Sequence, residues 1–177
     1  YGLASTDVLT NDTGHTIQGA GQLGISYMGL VNAGLIDANQ SVALTVELTG
    51  GVATNINSGT MRASSGGTLT ITNSTGLDNA SGLISAETGS TVNIAGASHI
   101  VGGTVQSTGT GLVTLSGASR LTDVSTAGEI RIQNATQGQL GGTITNSGTI
   151  RLASVGSYTD LVMAGDVTLT GSGTVTL

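Results

Sequence analysis

One short mark recurs along this chain: Asn or Thr, any residue, Gly, any residue, an aliphatic residue. It stands at Asn32-Ala33-Gly34-Leu35-Ile36 and Asn57-Ser58-Gly59-Thr60-Met61, and again at Ala80-Ser81-Gly82-Leu83-Ile84. Weaker or later copies are Gly103-Thr104-Val105, Thr126-Ala127-Gly128-Glu129-Ile130, Asn146-Ser147-Gly148-Thr149-Ile150 and Gly173-Thr174-Val175. The glycines fall roughly 20–25 residues apart, the period of a solenoid repeat. Between the marks lie runs such as Thr68-Leu69-Thr70-Ile71-Thr72 and Thr91-Val92-Asn93-Ile94, apolar at every second place. That alternation belongs to half-buried strands, and no helix-length window keeps a 3.6-residue period.

Two or three short strands per repeat predict one coil of a right-handed parallel β-helix, with about seven to eight coils of roughly 20–25 residues. A single coil cannot bury its Val, Ile and Leu alone. Stacking coils ~4.8 Å apart closes those side chains into a continuous core. Gly34, Gly59, Gly82, Gly128 and Gly148 are expected to set the turns, by positive φ or close backbone approach. Ile36, Met61, Ile84, Ile130 and Ile150 are expected to form one inward column. The absence of Pro fits, because Pro would remove a ladder hydrogen bond. Residues 1–177 read as a single module, an internal segment of a larger tandem-repeat protein. The start, Tyr1-Gly2-Leu3, carries no basic-then-apolar leader pattern.

Composition excludes several functions. No Cys means no disulfide framework and no thiolate metal site. Four Arg, no Lys and a net charge of −6 leave no basic footprint for nucleic acid. No apolar run reaches the ~20 residues of a membrane helix, so no membrane insertion is expected. A mean hydropathy of +0.26 with 8 % charged residues is not the signature of a disordered chain.

The Asn-x-Gly-x-Ile marks at Asn32 to Ala38, Asn57 to Ala63 and Asn146 to Leu152, with Gly66-Gly67-Thr68-Leu69-Thr70-Ile71, resemble the passenger regions of large bacterial exoproteins. These are the filamentous-haemagglutinin-like adhesins and autotransporter passengers. Asn11-Asp12-Thr13-Gly14-His15-Thr16-Ile17 adds to the resemblance. It implies a right-handed β-helix, export and a secreted or cell-surface location, and it brings no catalytic residue.

The candidate chemistry is sparse, and no catalytic, cofactor-binding or metal residue is assigned. His15 and His99 lack partners at a metal-ligand spacing and are expected in turns or at the surface. Asp37, Glu87 and Glu129 are expected to be solvated, and Arg120 with Asp123 and Glu129 with Arg131 to be surface ion pairs. Outward Thr rows (Thr68, Thr70, Thr72; Thr168, Thr170; Thr174, Thr176) are too interrupted to favour ice binding. The expected function is non-enzymatic: a stiff spacer or filament segment that associates end to end with like modules. The alternative is an adhesin module that binds host or matrix glycans or proteins. A polysaccharide-active enzyme, which requires converging carboxylates, ranks below both.

Overall fold

The structure, a computed structural model, describes residues 2–48, 55–73 and 76–177; Tyr1 lies outside them. Among the described residues there are 22 strands and no helix. All recorded strand pairs are parallel, and the chain winds as a β-solenoid of about 7 turns.

Three faces close the coil. The first runs from Val8–Asn11 through Gly29–Asn32, Ile56–Asn57, Leu77–Asp78 and His99–Val101 to Ser119–Thr122. The second runs from Thr16–Gln18 through Leu35–Ala38, Thr60–Ala63, Leu83–Ala86 and Thr104–Ser107 to Ser125–Ala127. The third is an 8-stranded sheet from Gly21–Leu23 to Thr174–Thr176. In the last two rungs the first two faces share strands, because Gln137–Asn146 and Asp160–Thr170 pass round the corner without breaking. The corner costs a register irregularity between Leu140 and Gly142. At the ~4.8 Å strand spacing, eight rungs make a rod on the order of 35 Å long.

Inward side chains stack rung over rung. On the first face Leu9 lies beneath Leu30, and further along Leu77, Ile100, Leu121, Leu140 and Met163 follow one another. On the third face Leu69, Val92, Val113, Ile130, Ile150 and Val175 do the same. On the second face Ile36, Met61, Ile84 and Val105 are in register. Burying each such side chain contributes about 1.5–3 kcal/mol. The alternation of burial in Thr68–Asn73 is what one buried face and one wet face require.

The expected single column is therefore two. Ile36, Met61 and Ile84 lie on the second face, whereas Ile130 and Ile150 lie on the third, in line with Val113. All five are buried. The physical reason lies in the glycines. A Cβ on Gly59 would run into the carbonyl oxygen of Gly34, and one on Gly82 into that of Asn57. These glycines stack where the first face turns into the second. A Cβ on Gly148 would likewise meet the carbonyl of Gly128, and one on Gly128 that of Ser107, but at the next corner. Two corners thus carry the same sequence mark, because both bring successive backbones too close for a side chain. Of the five glycines, Gly128 alone also needs a positive φ, 69°.

Candidate functional site

The inner wall of the first corner is an amide ladder. Asn11 Nδ2 donates to Asn32 Oδ1 at 2.7 Å, Asn32 Nδ2 to Asn57 Oδ1 at 2.7 Å, and Asn57 Nδ2 to Asn79 Oδ1 at 2.6 Å. All four side chains are buried. Each amide has one acceptor and two donors' worth of capacity, so a row can satisfy its members from rung to rung. Asn79 ends the row by donating to the carbonyls of Gly82 and Gly102 at 3.2 and 3.1 Å. At the other end His15 Nδ1 lies 2.7 Å from Asn11 Oδ1, and His15 thus covers the last open acceptor. His15 is an exposed turn residue whose ring serves the scaffold.

Three charged clusters mark the outer surface. On the second face Arg62 bridges two coils: its Nη2 is 2.8 Å from Asp37 Oδ2, and its Nη1 is 3.0 Å from Glu87 Oε1. The hydrogen bond to Asp37 raises the pKa of the Arg62 guanidinium above its ordinary value, against the opposing effect of burial. Ser64 Oγ donates to Asp37 Oδ1 at 2.8 Å. Asp37 is therefore buried, not solvated as expected from the sequence. The correction has a simple cause: its partners come from the next coil, 25 and 27 residues away.

On the first face, His99 and Arg120 stand in register on adjacent rungs. Arg120 Nη2 lies 3.0 Å from His99 Nδ1, and His99 Nε2 lies 2.9 Å from Thr122 Oγ1. A guanidinium only donates, so Nδ1 accepts and Nε2 carries the proton. Burial first, and the Arg120 charge second, push His99 below the usual 6.5. Arg120 thus pairs with a neutral ring, not with Asp123. Asp123 Oδ1 instead accepts from the Thr143 backbone N–H at 2.8 Å.

On the third face, Arg131 and Arg151 are neighbours on successive rungs. Arg131 Nε and Nη2 both reach Glu129 Oε1, at 2.9 and 2.7 Å. Arg151 is exposed and makes no hydrogen bond or ion pair among the described residues. The two arginines line an open trough of ≈ 1120 Å³. The sequence did carry a signal for this pair, since the marks at Gly128 and Gly148 both continue as Ile-Arg. The outward column they belong to reads Thr45, Thr70, Asn93, Thr114, Arg131, Arg151, Thr176, so the Thr row is broken by an amide and two cations.

None of these clusters sets two carboxylates facing each other across a cleft, the arrangement that acid–base hydrolysis uses. Asp37 and Glu87 are both tied to the same Arg62. Among the described residues, no three His, Cys, Asp or Glu side chains gather where they could hold a metal ion. No described helix is long and apolar enough to cross a membrane.

Parallel rungs, three inward columns and a buried amide ladder define the class: this is a β-solenoid repeat protein. No protein-family model, curated protein or solved structure matches the chain.

Proposed function

We propose that this chain is a stiff, non-enzymatic segment of an exported bacterial surface or extracellular protein, of the filamentous-haemagglutinin-like type. It lengthens by stacking further like rungs on its ends. One observation carries the reading. Met163, Leu169 and Val175 continue the inward rows of the three faces into the last rung, yet they are 47 %, 49 % and 36 % exposed. In the rungs beneath, Leu140, Ile144 and Ile150 are buried. The greasy interior thus continues into the last described rung, beside strand edges able to pair with another rung. At the opposite end Leu9, Ile17 and Leu23 are only partly buried.

Charge tempers this contact. Asp7 and Asp12 flank the first strand, and Asp160 and Asp166 lie on the last rung, all exposed. Like charges at both ends repel at low ionic strength and are screened as salt rises, over a Debye length of roughly 8–10 Å near physiological ionic strength. The test is sedimentation velocity at increasing concentration and salt, with electron microscopy of the products. Rods should grow by whole multiples of one module, and more so at high salt. Leu169→Arg should stop the growth without lowering the melting temperature, because Leu169 is already half exposed. A monomer that persists at high concentration and high salt overturns end-to-end stacking.

A further inference from the structure

The flank of the rod offers a separate site. Where the third face turns into the first, three successive rungs use a tight turn at Gly96-Ala97, Gly117-Ala118 and Asn134-Ala135. The next rung does not. Between the strands Thr149–Leu152 and Asp160–Thr170 it inserts a loop, residues 153–159. An insertion into one rung of a solenoid is surplus to stacking, and such loops tend to mark the binding side. The loop is anchored, with the Val155 N–H donating to Asn134 Oδ1 at 2.6 Å and Ser154 Oγ to the Ser157 carbonyl at 2.6 Å. It holds Tyr158 in solvent, 93 % exposed. Ser154 lines both the hollow under Tyr158 and the Arg131–Arg151 trough.

We infer that this trough and loop bind an acidic polysaccharide through its uronate carboxylates. The charge argument comes first. Arg131 is neutralised by Glu129, whereas Arg151 keeps its guanidinium free of any hydrogen bond or ion pair among the described residues and so available to a carboxylate. The chain as a whole carries −6, but the charge is unevenly spread. Residues 1–88 hold six acids and one Arg, and residues 89–177 hold four acids and three Arg. The trough therefore lies in the nearly neutral half, where a polyanion meets the least repulsion. Chemistry comes second. The hydroxyls of Ser147, Thr149, Ser154 and Thr176 line the trough and match the hydroxyls of a sugar. The exposed Tyr158 ring supplies a flat apolar surface for the C–H face of a pyranose. A guanidinium holds a carboxylate in two parallel hydrogen bonds, a geometry that a neutral sugar cannot use.

This inference concerns the third face and its 153–159 loop; because Thr176 of the last strand also lines the trough, the titration is run at concentrations where sedimentation shows a monomer, which keeps it separate from end-to-end stacking. The experiment titrates the full chain, isotope-labelled, with a galacturonic acid oligomer, an uncharged glucose oligomer and poly-glutamate, followed by NMR and calorimetry. The galacturonate should bind saturably, shift the amides of residues 149–159, and bind more weakly as salt rises. Arg151→Gln should weaken it at least tenfold, and Tyr158→Ala severalfold, with circular dichroism and melting unchanged because both side chains are exposed. The glucose oligomer should not compete. Absence of saturable binding, or full affinity in Arg151→Gln, overturns the proposal. Equal affinity for poly-glutamate overturns it too, since the trough would then accept acidic peptides.

Discussion

The first four rungs and the last four solve the same corner differently. Up to Asn79, the turn from first to second face is lined by stacked buried amides, each bonded to the next coil. Beyond it no Asn follows in line: Asn79 donates to the Gly102 backbone, and Asp123 accepts from the Thr143 N–H. By the seventh and eighth rungs the chain no longer turns there at all but runs through as one bent strand. The second-face interior changes with it. Val105 is followed in register by Thr126, and Thr126 by Asn146, while Val124 and Ile144 take over as buried aliphatics nearby. Thr126 Oγ1 donates to Asn146 Oδ1 at 3.0 Å, so polar contact returns one position further along the coil. The same cross-section is thus held either by side-chain amides in a row or by continuous backbone, and the two should fail differently.

The largest effect belongs to the ladder. Asn57→Ala removes the acceptor of Asn32 Nδ2 and the donor to Asn79 Oδ1 at once. Asn32 Nδ2 retains only longer contacts, to the Gly34 and Thr60 carbonyls at 3.4 and 3.3 Å. Each buried polar group left unpaired costs about 1–3 kcal/mol, and the small cavity adds to that. A loss of ~3 kcal/mol in urea unfolding is expected. Thr126→Val in the upper half keeps the shape and takes one donor from Asn146 Oδ1, which still receives the Gly148 N–H at 3.1 Å. Its cost should be ~1 kcal/mol. Equal losses from the two substitutions would mean that the amide row is no more cooperative than an isolated pair.

How much of this was legible follows from what each feature depends on. The solenoid was, because its evidence is repetition: Ile36, Met61 and Ile84 sit at one place in three consecutive marks and do lie over one another. The phase of the marks was not. Seventeen residues separate the in-register Val113 and Ile130, against twenty-five for Ile36 and Met61, and the shortened coil places Gly128 at a different corner from Gly82. Glycine reports that a backbone is near, not which one. The burial of Asp37 was hidden for a related reason, since Arg62 and Ser64 reach it only after a full coil has been wound. Arg131 and Arg151 could have been paired from their matching marks, but nothing local announces that the 153–159 loop stands beside them.

A smaller effect separates the halves by pH. His99 lies on the fifth rung, just past the ladder, where it holds Arg120 as a neutral ring. Its folded pKa is depressed below the ordinary 6.5. For a histidine depressed in this way, the unfolded chain takes up the proton first. Stability is therefore full above pH 6.5, falls as pH drops below it, and levels off once the folded-state pKa has been passed. Melting curves between pH 7.5 and 5 should show this fall in the native chain and a shallower one in His99→Gln. His15, at the base of the ladder, stays in both proteins as an internal control. An identical pH profile in the two would mean that His99 is not the group responsible.

The smallest expected change is a gain. Ala118 sits at φ 62° in the tight turn between the third and first faces, and Ile25 at φ 67° in the corresponding turn of the first rung. A side chain in the left-handed region costs roughly 1–2 kcal/mol, and glycine gives back about 0.5–1 kcal/mol through its freer unfolded chain. Ala118→Gly should therefore stabilise by a few tenths of a kcal/mol, up to ~1. Ile25→Gly should gain more, because a β-branched residue is the least tolerant of that conformation and Ile25 is already 36 % exposed. The reverse change, Gly117→Ala, should destabilise: φ there is +65°, and an added Cβ would lie 3.0 Å from the Gly96 nitrogen. If both glycine substitutions prove neutral while Gly117→Ala is costly, the turn is held by the approach of stacked backbones and not by its dihedral angles. Contact between coils would then govern this corner as it governs the amide corner.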